Sequence, residues 1–534
     1  MHRHSTLYQR GRESHIVEIS VTRGPMAMDA QQAWLLFLFL LLIFLFMKRR
    51  ISKKPNKNLP PSPPKLPLIG NLHQFGSLPH QSLWELSKKY GPVMLFQLRN
   101  VPAVVISSAE AAKEVLKVHD LESCSRPPLH GARKLTYNYL DVAFSPYGEY
   151  WREIRKICVV ELFSMKRVQS FESIREEEIT NMINSISRHS LSSPNSPVDL
   201  TEKLFAFTAS FIFRIAFGTS FEGTDFNRNK FYELVHAAEA TMGGFCAAEY
   251  FPYVGWIVDW LSGLNRRREK VFHQLDSFFQ KVVDEHLNPG RTKSQQDDII
   301  DVLLKIIKEQ SGFGAAMLTE KNIKAVLLNM FLGGVDTSAI TMIWGMAELA
   351  KKPSVMKKAQ EEVRNIIGNK GSVTLNDIDK LQYLKLIVKE TFRLHPAGPL
   401  LLPRESISRF EVNGYEIEPK TLIQVNVWGI GRDPKIWTDP DEFIPERFMD
   451  SAIDFKGQHF ELLPFGSGRR ICPGIYMGTT TVELGLANLL YSFDWKLPDG
   501  MKEEDLNMEE SAGLSLSLSK RTPLELVPKK HLFA

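Results

Sequence analysis

Residues Pro464–Gly474 read PFGSGRRICPG, and this stretch decides how the rest of the chain is read. It carries Cys472, one of four cysteines in 534 residues. Phe465 precedes the cysteine, with glycines at 466 and 468 and paired arginines at Arg469 and Arg470. Pro473, Gly474 and the helix-like run 475–490 follow it. A thiol stays ionised only beside positive charge and backbone donors. If a helix starts at Pro473, a residue suited to a first helical position, Cys472 stands at its N-terminus, where free N–H groups and the helix dipole favour an anion. The arginines supply the charge, and the glycines let backbone approach a flat, bulky group. A haem iron with a cysteine axial ligand requires this combination. An ordinary buried cysteine in a Gly-rich turn is the plainer alternative.

The pattern Phe465-x-x-Gly468-x-Arg470-x-Cys472-x-Gly474 resembles the haem-binding loop of the cytochrome P450 monooxygenases at each of its five fixed positions. The resemblance implies that Cys472 is the axial ligand of a haem b iron and that Phe465, Arg470 and Gly474 form the cofactor loop around it.

The apolar fraction is 43%, enough for an ample core, and Lys+Arg 66 against Asp+Glu 61 leaves a net charge of only +5. Nothing in that balance points to nucleic acid. The cysteines at 124, 158, 246 and 472 form no C-x-x-C pair and no disulfide framework, as in a reducing compartment. Residues 1–32 are an N-terminal extension, mostly polar, with Glu13 and Glu18 among its arginines. An unstructured tail or an upstream start before Met26 and Met28 fits it better than a transit peptide, which avoids acids. Residues 33–47 (AWLLFLFLLLIFLFM) hold no polar side chain. They are slightly short for the ~20 residues of a bilayer span, and a signal peptide is the rival. No small-residue cleavage site follows, but Lys48, Arg49, Arg50, Lys53 and Lys54 do. That cluster marks the cytosolic side, so residues 33–47 are expected to be an uncleaved transmembrane signal anchor. Residues 48–70 then form a basic stop and a Pro-rich, extended spacer (LPPSPPKLPLIG over 59–70), similar to the proline hinge of microsomal family members. The body, 71–534, is expected to be the haem-binding domain.

Inside the body, 81–90 reads as an amphipathic helix, and 93–98 with 103–107 as a β-hairpin. Residues 109–119 are helical again, and 125–145 is a long loop. Residues 148–163 form a helix with Trp151 and Arg155 four apart on one face. A surface cation–π contact would explain that pair. In the family the matching W-x-x-x-R donates to a haem propionate, a role the resemblance carries to Trp151 and Arg155. Residues 165–315 are helical segments broken by polar loops, and no repeat is found in them.

Residues 319–352 form the longest helical pattern, roughly 50 Å at ~1.5 Å per residue. Its middle reads Gly333-Gly334-Val335-Asp336-Thr337-Ser338. Two interior glycines cost about 1 kcal/mol each, and Thr337 can bond back to the Gly333 carbonyl and loosen the helix. The result is either a groove flanked by an acid and an alcohol or a packing notch for another helix. The segment resembles the family's oxygen-binding groove, which implies that Thr337 and Asp336 relay protons to O₂. Members that rearrange peroxides tend to lack this threonine, so Thr337 argues for monooxygenation. A second helix is expected over 377–394, ended by His395-Pro396. Its Glu390 and Arg393 resemble the family's E-x-x-R, which reaches the arginine of P-E-R-F, here Arg447, in a structural triad. Arg404 resembles a further propionate contact. Met330, Gly333, Gly398, Leu400 and Leu514 are expected to face the cavity above the iron, with 513–518 and 524–527 forming a hairpin that enters it.

Residues 428–437 contain G-I-G, but Pro434 takes the place of the third glycine of a dinucleotide fingerprint, and no Walker A loop exists. No directly bound NADPH or flavin is therefore expected, and a separate NADPH–cytochrome P450 reductase is implied. The wording of 60–76, 145–158 and 464–474 is closest to plant A-type microsomal members. The implied fold is mainly α with a small β-rich lobe, behind an N-terminal transmembrane anchor in the endoplasmic reticulum with the catalytic domain cytosolic. The implied activity is oxidation of a small apolar specialised metabolite with O₂. The alternatives are a haem-dependent isomerase or dehydratase, and a non-catalytic haem protein.

Overall fold

The computed structural model describes residues 58–532 apart from 222–227, 252, 292–296, 310–317 and 514–515, and before them Trp34, Phe37, Leu38 and Leu41. It divides into two compact units, 1–57 and 58–534. In the first, the four described residues are helical and exposed, and the rest of the expected anchor lies outside the described residues.

The second unit is mainly helical. Two short runs rich in β-branched and other apolar residues make β1 (Val93–Leu98) and β2 (Val101–Ile106) an antiparallel hairpin. The expected loop 125–145 contains a short helix, His130–Leu135, packed on the helix Arg228–Gly243. Trp151 and Arg155 lie on α1 (Glu149–Ile157), which continues as one widened turn through Leu162. α2 (Leu200–Phe217) is capped by the Asp199 carboxylate, which accepts from the Glu202 N–H at 2.9 Å. α3 (Arg228–Gly243) packs on α2.

α4 (Glu320–Lys351) runs through the core. Asn322 closes its start by accepting from the Thr319 N–H at 2.7 Å. The helix is long and apolar enough to cross a membrane, yet it is mostly buried, as a central core helix is. It packs against α2, α5 (Gln382–Leu394) and α6 (Ile475–Ser492). Residues 332–336 form one wide turn within it, at the glycine pair, and the Thr337 hydroxyl donates to the Gly333 carbonyl at 2.5 Å. Side-chain competition of this kind loosens a helix locally. The helix expected over 377–394 is interrupted. Leu375–Ile378 is capped by Thr374 and Asp377, and Leu381, with ψ 78, breaks the run before α5.

β2 is extended by β4 (Leu422–Val425) in parallel, which in turn pairs antiparallel with β3 (Arg404–Glu405). This small mixed sheet is the β-rich lobe, with its own apolar clusters on either face. The Pro-rich stretch lies along it rather than standing free: the Leu95 N–H donates to the Pro61 carbonyl at 2.8 Å, and Pro60 and Pro63 are buried. Among the described residues, the expected hairpin of 513–518 with 524–527 is not formed. Glu525–Lys530 pairs instead with Phe493–Lys496 and Val198–Asp199, while the preceding turn is closed on itself by the Ser511 N–H to the Ser519 carbonyl, 2.8 Å.

Candidate active site

The loop before α6 is shaped by its own backbone. The Cys472 N–H donates to the Phe465 carbonyl at 3.0 Å. Gly468 has φ +68, and a Cβ there would stand 2.3 Å from the Leu116 carbonyl oxygen and 2.6 Å from Asp120 Oδ1. Only glycine fits. α6 starts at Ile475, with Gly474 as its N-cap, so Pro473 is not the first helical residue and Cys472 sits just ahead of the helix. Burial pushes the Cys472 thiol up, while the Gly474 N–H and the nearby Arg155 guanidinium pull it down. The charge beside the sulfur thus comes from α1 and not from the adjacent arginine pair. Arg469 turns outward to Asp120 at 2.9 Å. Arg470 donates to the Cys124 and Ser145 carbonyls at 2.8 and 2.7 Å.

Cys472 opens into a cavity of about 350 Å³ with Phe465, Arg470 and Gly474 around it and Met330, Gly333 and Thr337 of α4 also in its wall. The two glycines of α4 have different duties. A Cβ at Gly333 would meet nothing within 4 Å, so this position keeps the cavity open. A Cβ at Gly334 would lie 2.6 Å from Ile212 Cδ1, so this one is the notch that admits α2. Gly398 lines the cavity as expected, but Leu400 does not. Leu401 has φ +55, and the kink sends the Leu401 side chain inward while Leu400 packs with the β-lobe cluster around Phe96. Leu514 lies outside the described residues; Leu516 and Ser517 line the wall.

Four guanidiniums line the same cavity: Arg126, Arg155, Arg404 and Arg470. Arg126 was invisible to sequence reading. It is buried within the 125–145 segment, donating from Nε to the Ala143 carbonyl at 2.8 Å and from Nη1 to those of Leu402 and Pro403 at 2.7 and 2.8 Å. The dipeptide Ser125-Arg126 before two prolines was its only trace. Arg155 donates to the Ile471 carbonyl. Arg404 pairs with Asp120 at 2.9 Å. Burial lowers Arg126, Arg404 and Arg470, the last to about 9, and neighbouring guanidiniums lower Arg126 and Arg470 further. Trp151 stands behind them. Its indole N–H donates to the Val142 carbonyl at 3.0 Å and its ring carries the Arg470 guanidinium at 3.9 Å, so its role here is to support an arginine.

Buried cations in this excess need anions. A thiol on one wall, four guanidiniums at the edge and a side-chain-free Gly333 facing the space fit a flat ring that carries a metal and two carboxylates. Haem b has these features.

Behind the Cys472 loop, Glu390 accepts from Arg393 Nε and Nη2 at 2.7 and 2.8 Å, from Arg447 Nε at 2.9 Å and from the Ile444 N–H at 2.7 Å. Arg393 in turn donates to the Gly431, Pro440 and Glu442 carbonyls. The triad straps 431–447 to α5, and none of its three members lines the cavity. Asp336 is fully buried, 3.4 Å from His236 Nδ1, and points away from the cavity that Thr337 lines.

The sequence profile of the cytochrome P450 family matches residues 60–524. Among curated relatives, the chain is 55% identical over 500 residues to cytochrome P450 71B37 of Arabidopsis thaliana, covering 93% of this chain and 99% of the relative. It is 57% identical to cytochrome P450 71B9 of the same plant over 471 residues, 88% and 93% of the two chains. Cytochrome P450 71B36 is 53% identical over 498 residues, 93% and 98%. The family's cofactor is haem b, its co-substrate O₂, and its domain holds neither flavin nor NADPH. With a cysteine in a cavity ringed by arginines and a profile match along nearly the whole body, the chain belongs to the cytochrome P450 family of monooxygenases.

Proposed function

We propose that the protein oxidises a small apolar specialised metabolite, using electrons from a separate NADPH–cytochrome P450 reductase, while tethered to the endoplasmic reticulum membrane. One observation carries this: the Cys472 sulfur and the Thr337 hydroxyl open into a single, mostly apolar cavity. Haem b, when bound, supplies O₂ activation with a thiolate that favours O–O cleavage. Cys472 would hold its iron, and Arg126, Arg155, Arg404 and Arg470 would hold its carboxylates. Met330, Phe211 and Leu401 would exclude water and grip an apolar skeleton. The Thr337 hydroxyl spends its hydrogen on the Gly333 carbonyl. Its oxygen is then free to accept from a molecule in the cavity, which supports a proton path ending at Thr337 that the preceding residue, Asp336, would feed from behind the wall.

A membrane setting is supported by residues 33–47 with the basic cluster after them, and by Tyr253, Trp256, Trp260 and Leu261, which are all more than half exposed in and before the short helix Gly255–Leu261. Exposed aromatics of this density suit a lipid interface.

The test is the reduced, CO-bound absorption spectrum of the full chain beside Cys472→Ser. A Soret band at the long wavelength of thiolate-bound haem, lost in the variant, is expected. Reductase-dependent NADPH oxidation that rises with an apolar substrate is expected next. Turnover without NADPH would favour an isomerase or dehydratase. A haem that binds but never turns over would favour a carrier or sensor. Folded protein without the thiolate band would refute the proposal.

A further inference from the structure

Glu239 of α3 is the one carboxylic side chain in the cavity wall among the described residues. It is 5% exposed, and its Oε2 accepts from the Ser517 hydroxyl at 2.8 Å. Behind it lies Asp336, fully buried, with neither carboxyl oxygen bonded to a donor. Ligand atoms of His236, Glu239 and Asp336 lie within 4.8 Å of one another. Among the described residues no arginine or lysine pairs with either acid. The groups that face the pair are Tyr232 and His236 of α3 and Ser517, and Asp199 ahead of α2 acts in turn on Tyr232.

Two buried carboxylates at this range cannot both be charged without a counter-ion. One proton between them satisfies both: a carboxylic O–H donates and a carboxylate accepts. We infer that Glu239 and Asp336 hold one proton in common and that Glu239 is the acid that presents it to the cavity, with His236 beside Asp336 on the far side. This inference rests on the monooxygenase reading above and changes it at one point. Asp336 points away from the cavity, so its proton reaches the cavity through Glu239. The balance is simple. The single proton leaves the Glu239 carboxyl for the cavity and both acids are then carboxylates; one proton taken up from water by way of the Asp336 side, where His236 Nδ1 stands 3.4 Å away, restores the shared one. No electrons move and the chain ends in its starting state. Burial raises both acids, and the Glu239 charge raises Asp336 further; burial lowers His236, which keeps it neutral and able to accept. Ser517 is a positioning residue that fixes the Glu239 carboxyl against the wall.

The experiment is infrared spectroscopy of the full chain at neutral pH in H₂O and D₂O, as wild type minus Glu239→Gln and wild type minus Asp336→Asn. Both differences are expected to show a protonated-carboxyl C=O band that shifts in D₂O, and the two bands should coincide. In the reductase-coupled protein, Glu239→Gln should slow NADPH oxidation on the order of tenfold or more. Glu239→Asp should recover part of the rate, and the CO-bound spectrum should not change. Featureless infrared differences would overturn the inference. So would unchanged oxidation in Glu239→Gln, or one Zn²⁺ bound per chain and lost in that variant, which would make the cluster a metal site. A wild type without the thiolate-haem band would sink the monooxygenase reading while leaving the infrared result standing.

Discussion

Glu390→Ala is the sharpest probe of how the proximal side is built. The Glu390 carboxylate is completely buried and satisfies three N–H groups of Arg393 and Arg447 and the backbone N–H of Ile444. Removing it leaves two guanidiniums facing each other without an anion, Arg393 fully buried and Arg447 nearly so. Losing one partner of a buried ion pair costs about 3–5 kcal/mol. The arginines cannot simply leave, because Arg393 also serves three carbonyls and Arg447 those of Thr438, Asp439 and Glu442. At ~2.1 cal/mol/K of unfolding entropy per residue, a cooperative body of roughly 480 residues loses about 1 °C of Tm per kcal/mol. A fall of about 3–5 °C is therefore expected in a thermal melt followed by circular dichroism. Haem retention, read from the Soret band, should fall with it, because 431–447 loses its strap. Glu390→Gln keeps the shape but not the charge and should fall between wild type and Ala. A Tm change below about 1 °C for the alanine variant would mean that the arginines find other anions or water, and the triad would not be what holds this segment.

The paired glycines of α4 should respond in opposite ways. Gly334→Ala drives a methyl into Ile212 Cδ1 and should cost about 1–3 kcal/mol, with part recovered by adding Ile212→Val; Gly333→Ala should match or exceed wild-type Tm, since it removes a helix glycine worth about 1 kcal/mol, yet weaken the spectral shift caused by bound ligands. Arg126→Leu should speed haem loss roughly ten- to a hundredfold in a haem-transfer assay, the equivalent of one charge-assisted hydrogen bond of about 1.5–3 kcal/mol. Glu510 sets an acid limit. Burial works to raise it, but His80 at 2.7 Å, Trp428 and Arg432 overcome that and hold it at about 2. A depressed carboxyl contributes stability above its unfolded pKa and loses it as pH falls through the folded one. About 3 kcal/mol should thus disappear between about pH 4.5 and 2, and Tm–pH curves of Glu510→Gln should be flatter across that window.

Much of the architecture was legible because it depends on local pattern. Two β-branched runs split by a turn marked β1 and β2, the glycine pair marked the disturbed turn of α4, and Phe465–Gly474 marked the loop that carries Cys472. Thr337 bonding to Gly333 follows from an i to i−4 spacing, and the Glu390–Arg393 contact from i to i+3, so both needed only a helix. Helix ends were less legible. The break at Leu381 and the start at Ile475 depend on caps whose partners are set by packing.

What failed in the sequence failed through distance along the chain. Arg126 meets Leu402 and Pro403 across more than 270 residues. The terminal strand Glu525–Lys530 chose Phe493–Lys496 and Val198–Asp199 over the nearer 513–518. The inward turn of Leu401 in place of Leu400 depends on one left-handed backbone angle. Sequence alone determined the kind of chemistry, since the cysteine loop, the Gly-Gly-x-Asp-Thr helix and the two arginine motifs are short patterns whose geometry a helix or a turn enforces. Only the tertiary structure decided which charges meet: Arg155 rather than Arg470 beside the sulfur, and Glu239 rather than Asp336 in the cavity wall. Burial is the physical reason. A charge acts on a neighbour according to the space and water between them, and those are properties of the packed chain.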